Sequence, residues 1–153
     1  MLETGVLMDY QQDWLKKMIY KNTTGIVSFK IIKEIDYINI ETANQKYNDF
    51  THLRNKNFNR VHVPDFTFKK NNTTLSYTSD FIKGAQITQS SKNKYKDIIY
   101  EDLVNRNDDY SFTSYGLTNF IIEEHTNRIY YIDLDDYRKI SVEERKQRFN
   151  KFW

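Results

Sequence analysis

The sequence has no cysteine, one proline and only four glycines in 153 residues. The lack of cysteine excludes disulfides and any thiolate metal site, and it fits a reducing, cytoplasmic setting. No apolar run approaches the roughly 20 residues that a membrane-spanning helix needs. The opening MLETGVLMDYQQDW carries acids early and has no apolar core of signal-peptide length. The expectation is therefore a cytoplasmic protein with no membrane partner. Charge of one sign is lacking too: 23 Lys and Arg stand against 21 Asp and Glu, a formal net charge of +2. With both signs interspersed, the basic face of a dedicated nucleic-acid binder is not evident, and no nucleic-acid partner is expected. His52, His62 and His125 share no ligand spacing and make no zinc pattern.

What is present suffices for a core. Apolar residues make up 39% and aromatic residues 16% of the chain, and a chain of this length buries about 70% of its unfolded surface as one domain. With so little Gly and Pro, breaks are read from polar clusters. Gly5 to Met8 reads as an opening strand. MIYKNTTGIVSFKII reads as a hairpin with its turn at Asn22 to Gly25, and Val27, Phe29 and Ile31 share one face of its second strand, with Lys30 on the other. Ile40, Ala43, Tyr47, Phe50 and Leu53 then fall at helical spacing after Asn39, an acceptable N-cap. VHVPDFTF and TTLSYTSDFI predict a second hairpin, with Pro64 at its edge. Ser90 or Ser91 opens a helix striped by Tyr95, Ile98, Ile99 and Leu103, and Ser141 to Glu144 is a capping box for a terminal helix. The order predicts an α+β protein.

The most informative stretch runs from Ser111 to Ser141. Phe120 to Ile122 and Ile129 to Ile132 are short apolar strands around a polar turn. Asn119 opens the first strand and Asp133 closes the second. In an antiparallel hairpin the entry of one strand lies beside the exit of its partner, so the two side chains can converge. Two hard oxygens at one point suit Mg²⁺, which takes one or two protein ligands and completes its octahedron with water and phosphate.

Together with residues upstream, this stretch resembles the protein-kinase-like superfamily in the compact form of aminoglycoside phosphotransferases and lipopolysaccharide kinases. Asn119 in LTNFII resembles the magnesium-binding asparagine that ends the catalytic loop, and Asp133 in YYIDLDDY resembles the metal-binding aspartate of the DFG position, fourteen residues on. Lys30 in VSFK resembles the strand lysine that holds the α- and β-phosphates, and Glu41 its partner on the following helix. SDFIKG resembles the hinge whose backbone reads adenine, which matches the carbonyl of Asp80 and the amide of Ile82. The resemblance implies an antiparallel N-lobe-like sheet with one helix over residues 1–82, a reduced helical C-lobe carrying the metal hairpin over 83–153, and ATP and Mg²⁺ as cofactors. Taken singly, each residue has a plainer role: Lys30 a solvent-facing strand lysine, Glu41 a carboxylate at the helix dipole, Asn119 a turn residue, Asp133 to Asp136 an acidic turn.

Two departures qualify what the resemblance implies. The position five residues before Asn119, where the family has its catalytic aspartate, is Ser114. A serine cannot serve as that base; Asp108 and Asp109 are the nearby acids. About sixteen residues follow DLDDY, so a reduced acceptor-binding lobe is expected, and Gly25 alone gives little cradle for phosphates. Three readings stand: a minimal kinase transferring phosphate from ATP to a hydroxyl, a pseudokinase working as a nucleotide-binding or protein-interaction module, and an α+β interaction domain outside that family. Phe149, Phe152 and Trp153 suggest that the C-terminal helix meets a protein partner or a second copy.

Overall fold

The computed structural model describes residues 3–4, 16–21 and 27–153, with side chains from Lys30 onward. The strand expected at Gly5 to Met8, the turn at Asn22 to Gly25 and the face shared by Val27 and Phe29 lie outside what is described. The chain is α+β and divides into two compact units, one of Met1–Asn48 with Pro64–Phe81 and one of Asp49–Val63 with Ile82–Trp153.

The first unit is built on one sheet. Strands β1 (Glu3–Thr4), β2 (Lys16–Lys21), β3 (Val27–Asp36), β5 (Phe66–Asn71) and β6 (Thr74–Asp80) lie in the order β1-β2-β3-β6-β5, every pair antiparallel. The ten-residue β3 is the centre, rich in the β-branched and aromatic residues that suit a pleated surface. The β5–β6 hairpin turns at Asn72, whose φ of 56° lies in the left-handed region that Asn tolerates. Period-two alternation is visible in β6, where Leu75, Tyr77 and Ser79 are buried and their neighbours half-exposed. Full burial of Leu75 contributes about 1.5–3 kcal/mol. Helix α1 (Ile40–Arg54) starts here. Asn39 caps it as expected, its Oδ1 accepting from the Thr42 amide at 2.8 Å.

In the second unit, β4 (Val61–His62), β7 (Gly84–Gln86), β9 (Phe120–Glu123) and β10 (Ile129–Tyr131) form a sheet in the order β4-β10-β9-β7, with β4 parallel to β10. β8 (Tyr110–Phe112) and β11 (Tyr137–Lys139) form a separate antiparallel pair. Gly84 is expected to turn the chain; instead it begins β7, where the backbones approach so closely that a Cβ would stand 2.0 Å from the Ile122 carbonyl oxygen. Helix α2 (Lys92–Ile99) runs into a π-turn over Tyr100–Val104.

Helix α3 (Val142–Asn150) opens on Ser141, whose hydroxyl accepts from the Glu144 amide at 3.2 Å. Its inner face presents Arg145 and Phe149, both buried. The Arg145 guanidinium donates to the carbonyls of Ile140, Val104 and Arg106 at 3.1, 3.1 and 3.4 Å and also to that of Asp108. Trp153 stacks on Phe149, meets Phe120 edge-on and donates its Nε1–H to the Tyr115 carbonyl at 2.8 Å. Two of the three aromatics expected to face a partner are therefore core residues of this unit; Phe152 is exposed.

Candidate metal centre at the mouth of the hairpin

The β9–β10 hairpin has the register Phe120↔Tyr131, Ile121↔Tyr130 and Ile122↔Ile129. One further bond, from the Ile132 amide to the Asn119 carbonyl at 3.0 Å, extends the pairing past the ladder. Asn119 thus sits opposite Ile132, and Asp133 follows one residue later in the chain. The reason is local: Leu117–Asn119 is a tight 3₁₀ turn that delivers Asn119 directly to the start of β9.

Asn119 is only 6% exposed, and its Nδ2 donates to the Ser114 hydroxyl oxygen at 3.0 Å. With the amide nitrogen bound in this way, Oδ1 is the atom Asn119 can offer a cation. Tyr131, stacked on Phe112 at 3.8 Å, aims its hydroxyl at the same place, 2.9 Å from the Ser114 carbonyl oxygen and 3.1 Å from the Asp136 carboxylate. Burial pushes this phenol well above its ordinary range, and the nearby charges of Asp136 and Asp133 add to the effect. The Thr113 amide donates to the Asp136 carbonyl, so the Ser114 segment and the acidic turn are fastened together.

Asp133 leads into a second 3₁₀ turn, Leu134–Asp136, which folds Asp135 and Asp136 back towards it. One carboxylate oxygen from each of the three acids lies within 4.8 Å of the others, and all three are half-buried. Burial first, then the carboxyl groups of Asp135 and Asp136, push the Asp133 carboxyl up to about 9. A cation at the cluster would favour the ionised form of all three carboxyls. The donors are all hard oxygens, which fits Mg²⁺. Asp135 and Asp136 read in sequence as a closing turn; the D-x-D-D spacing on a tight turn is the signal that they face Asp133. Tyr131 carried no such signal, being one apolar position among several. Of the acids near the family's catalytic position, Asp108 is engaged elsewhere, ion-paired with Lys56 and lying 3.9 Å from Arg106.

Lys30, Glu41 and Asp80 lie in the first unit. Lys30 pairs with Asp80 in the β3–β6 register, which puts both side chains on one face of the sheet, and they form an ion pair. Glu41 lies exposed in the first turn of α1, where the helix dipole favours it. Among the described residues no hydrogen bond or ion pair joins Lys30 to Glu41. The Asp80 amide donates to the Asp65 carbonyl at 2.9 Å. Ile82, in the second unit, lies in the irregular run between β6 and β7, and its side chain is buried.

No protein-family model matches this sequence, and no curated protein is similar enough to it to mark a relative.

Proposed function

We propose that the protein is a kinase-like module that binds Mg²⁺ and ATP. Asn119 and Asp133 hold the metal. The gathering of Asp133, Asp135 and Asp136 at the mouth of the hairpin that Asn119 opens is the observation that supports this reading. A bound Mg²⁺ would neutralise charge on the phosphate oxygens, the chief requirement of phosphoryl transfer. Ser114 orients Asn119 by accepting its amide proton, and Tyr131 ties Ser114 to the acidic turn. In the phosphotransferase form, an acceptor hydroxyl oxygen bonds to the γ-phosphorus as the bond to the β–γ bridging oxygen breaks. The hydroxyl proton passes to water, because Ser114 provides no base.

A second reading has its own support. The Ser114 hydroxyl is committed to Asn119 and no carboxylate stands at that position, which favours a pseudokinase that binds nucleotide, or a protein partner, without turnover. General-base help worth about 10²- to 10⁴-fold is missing either way.

Thermal unfolding of the full chain with Mg²⁺ and ATP tests the proposal. Ligand at about 100 times its dissociation constant stabilises by roughly 2.7 kcal/mol, and at roughly 2–4 °C per kcal/mol the shift is easily read. Asp133→Ala should abolish it, and Ser114→Asp should raise phosphotransfer if the rest of the site is competent. No shift in the wild type leaves an interaction domain, and a shift that survives Asp133→Ala unchanged sinks the site assignment.

A further inference from the structure

A second cleft opens at the far end of the same hairpin. Its volume is about 450 Å³, and its walls carry Arg60, His62, Lys94, Tyr95, Ile98 and Arg128. That size lies within the roughly 300–1,000 Å³ of small-molecule sites. Three permanent cations line it and no carboxylate does.

The two arginines are brought together by backbone geometry. Val61 pairs with Ile129 in the parallel β4–β10 ladder, and Arg60 and Arg128 each come one residue before that pair. Both side chains are exposed, so water screens part of their repulsion, and an anion between them would relieve the rest. Both backbones are nevertheless held firmly. The buried Asp102 carboxylate accepts from the amides of Asn59, Arg60 and Val61 at 2.9, 2.9 and 2.6 Å. On the other side, the Arg128 carbonyl accepts from the Glu123 amide at 2.9 Å, and Asn127 takes the left-handed turn at a φ of 58°. Asp97 and Glu101 line a smaller adjoining hollow that shares Arg60, yet among the described residues neither Arg60 nor Arg128 forms a side-chain ion pair.

Lys94 comes from α2, its ammonium 5.5 Å from the Tyr95 ring centre, so the third cation stands beside an aromatic and aliphatic wall of Tyr95 and Ile98. A guanidinium fork matches a tetrahedral oxyanion in a bidentate manner, and a charge of three suits a dianion better than a single carboxylate. The wall beside it suits a carbon body. We propose that this cleft binds a small phosphomonoester, with the phosphate on Arg60, Arg128 and Lys94 and the body against Tyr95 and Ile98. It is a separate site from the hairpin mouth, three paired residues or roughly 10 Å along the strands away.

Calorimetric titration of the full chain with phenyl phosphate, inorganic phosphate and phenol tests this. Phenyl phosphate should bind best, inorganic phosphate at least tenfold more weakly, and phenol undetectably. The double variant Arg60→Gln, Arg128→Gln should lose at least tenfold in phenyl phosphate affinity with an unchanged urea midpoint, because Asp102 grips backbone amides and not the Arg60 side chain. Asp133→Asn should bind phenyl phosphate as the wild type does, which separates this site from the metal centre. The proposal is overturned by no binding at millimolar phenyl phosphate, by equal affinity in the double variant, or by binding of a single-stranded oligonucleotide that phenyl phosphate does not displace.

Discussion

The amide nitrogen of Asn119 donates to the hydroxyl oxygen of Ser114 across 3.0 Å, five residues back along the chain. The Ser114 hydroxyl is thus an acceptor that holds the side-chain amide of Asn119 in one orientation. Ser114→Ala removes that acceptor from a buried amide N–H. The expected loss is about 1–2 kcal/mol of stability, measured by urea unfolding, together with weaker Mg²⁺ binding as Asn119 loses its fixed orientation. Unchanged metal affinity in Ser114→Ala would show that the bond does not position Asn119.

His52 governs an acid limb of stability in the second unit. Its ring stacks on Tyr110 at 3.8 Å, and Nδ1 lies 2.7 Å from the Tyr137 hydroxyl. Burial lowers its pKa, and the charges of Lys56 and Lys139 lower it further against the opposing pull of Asp49. A folded-state value below the unfolded one means that the unfolded chain binds more protons, so stability is complete above about pH 6.5 and falls as pH drops from there. Urea midpoints between pH 7.5 and 5 should decline, and His52→Phe should flatten that part of the curve.

The terminal aromatics should differ sharply. Trp153→Ala removes a buried ring and an indole hydrogen bond, at an expected cost of about 3 kcal/mol or more. Phe152→Ala, at an exposed position, should fall within about 0.5 kcal/mol. Phe152→Asp followed by light scattering is the clean test of a partner-facing tail, since deleting residues 141–153 would also remove Arg145 and Phe149 from the core. An assembly that persists in Phe152→Asp would place any self-association elsewhere.

Local pattern carried much of the fold. Alternation in TLSYTSD, the cap at Asn39 and the box at Ser141 to Glu144 are short-range signals, and each lies where expected. Helical spacing was less reliable about depth: in α1, Ala43, Phe50 and Leu53 are buried while Ile40 and Tyr47 are exposed. Pairings between distant segments left no local trace. The β4 strand is two residues long and finds β10 sixty-eight positions away, and Gly84 is demanded by the Ile122 backbone, not by any turn. At the candidate site, the hairpin was legible because its register follows from two apolar runs. Asp102 was not, because its three amide partners lie some forty residues upstream and the acid looks like any other on a helix surface. The basic cleft was hidden for a related reason. A near-neutral chain shows no excess of positive charge until β4, α2 and the hairpin turn collect three cations around one hollow.

Arg145 has a consequence for how the chain is made. Its guanidinium donates to the carbonyls of Val104, Arg106 and Asp108, so the loop after the π-turn is tied to a helix that lies some forty residues further along the chain. During synthesis, those three bonds form only once α3 has left the ribosome. The second unit therefore completes only after translation has passed Arg145, while every strand of the first unit's sheet has been made by Asp80.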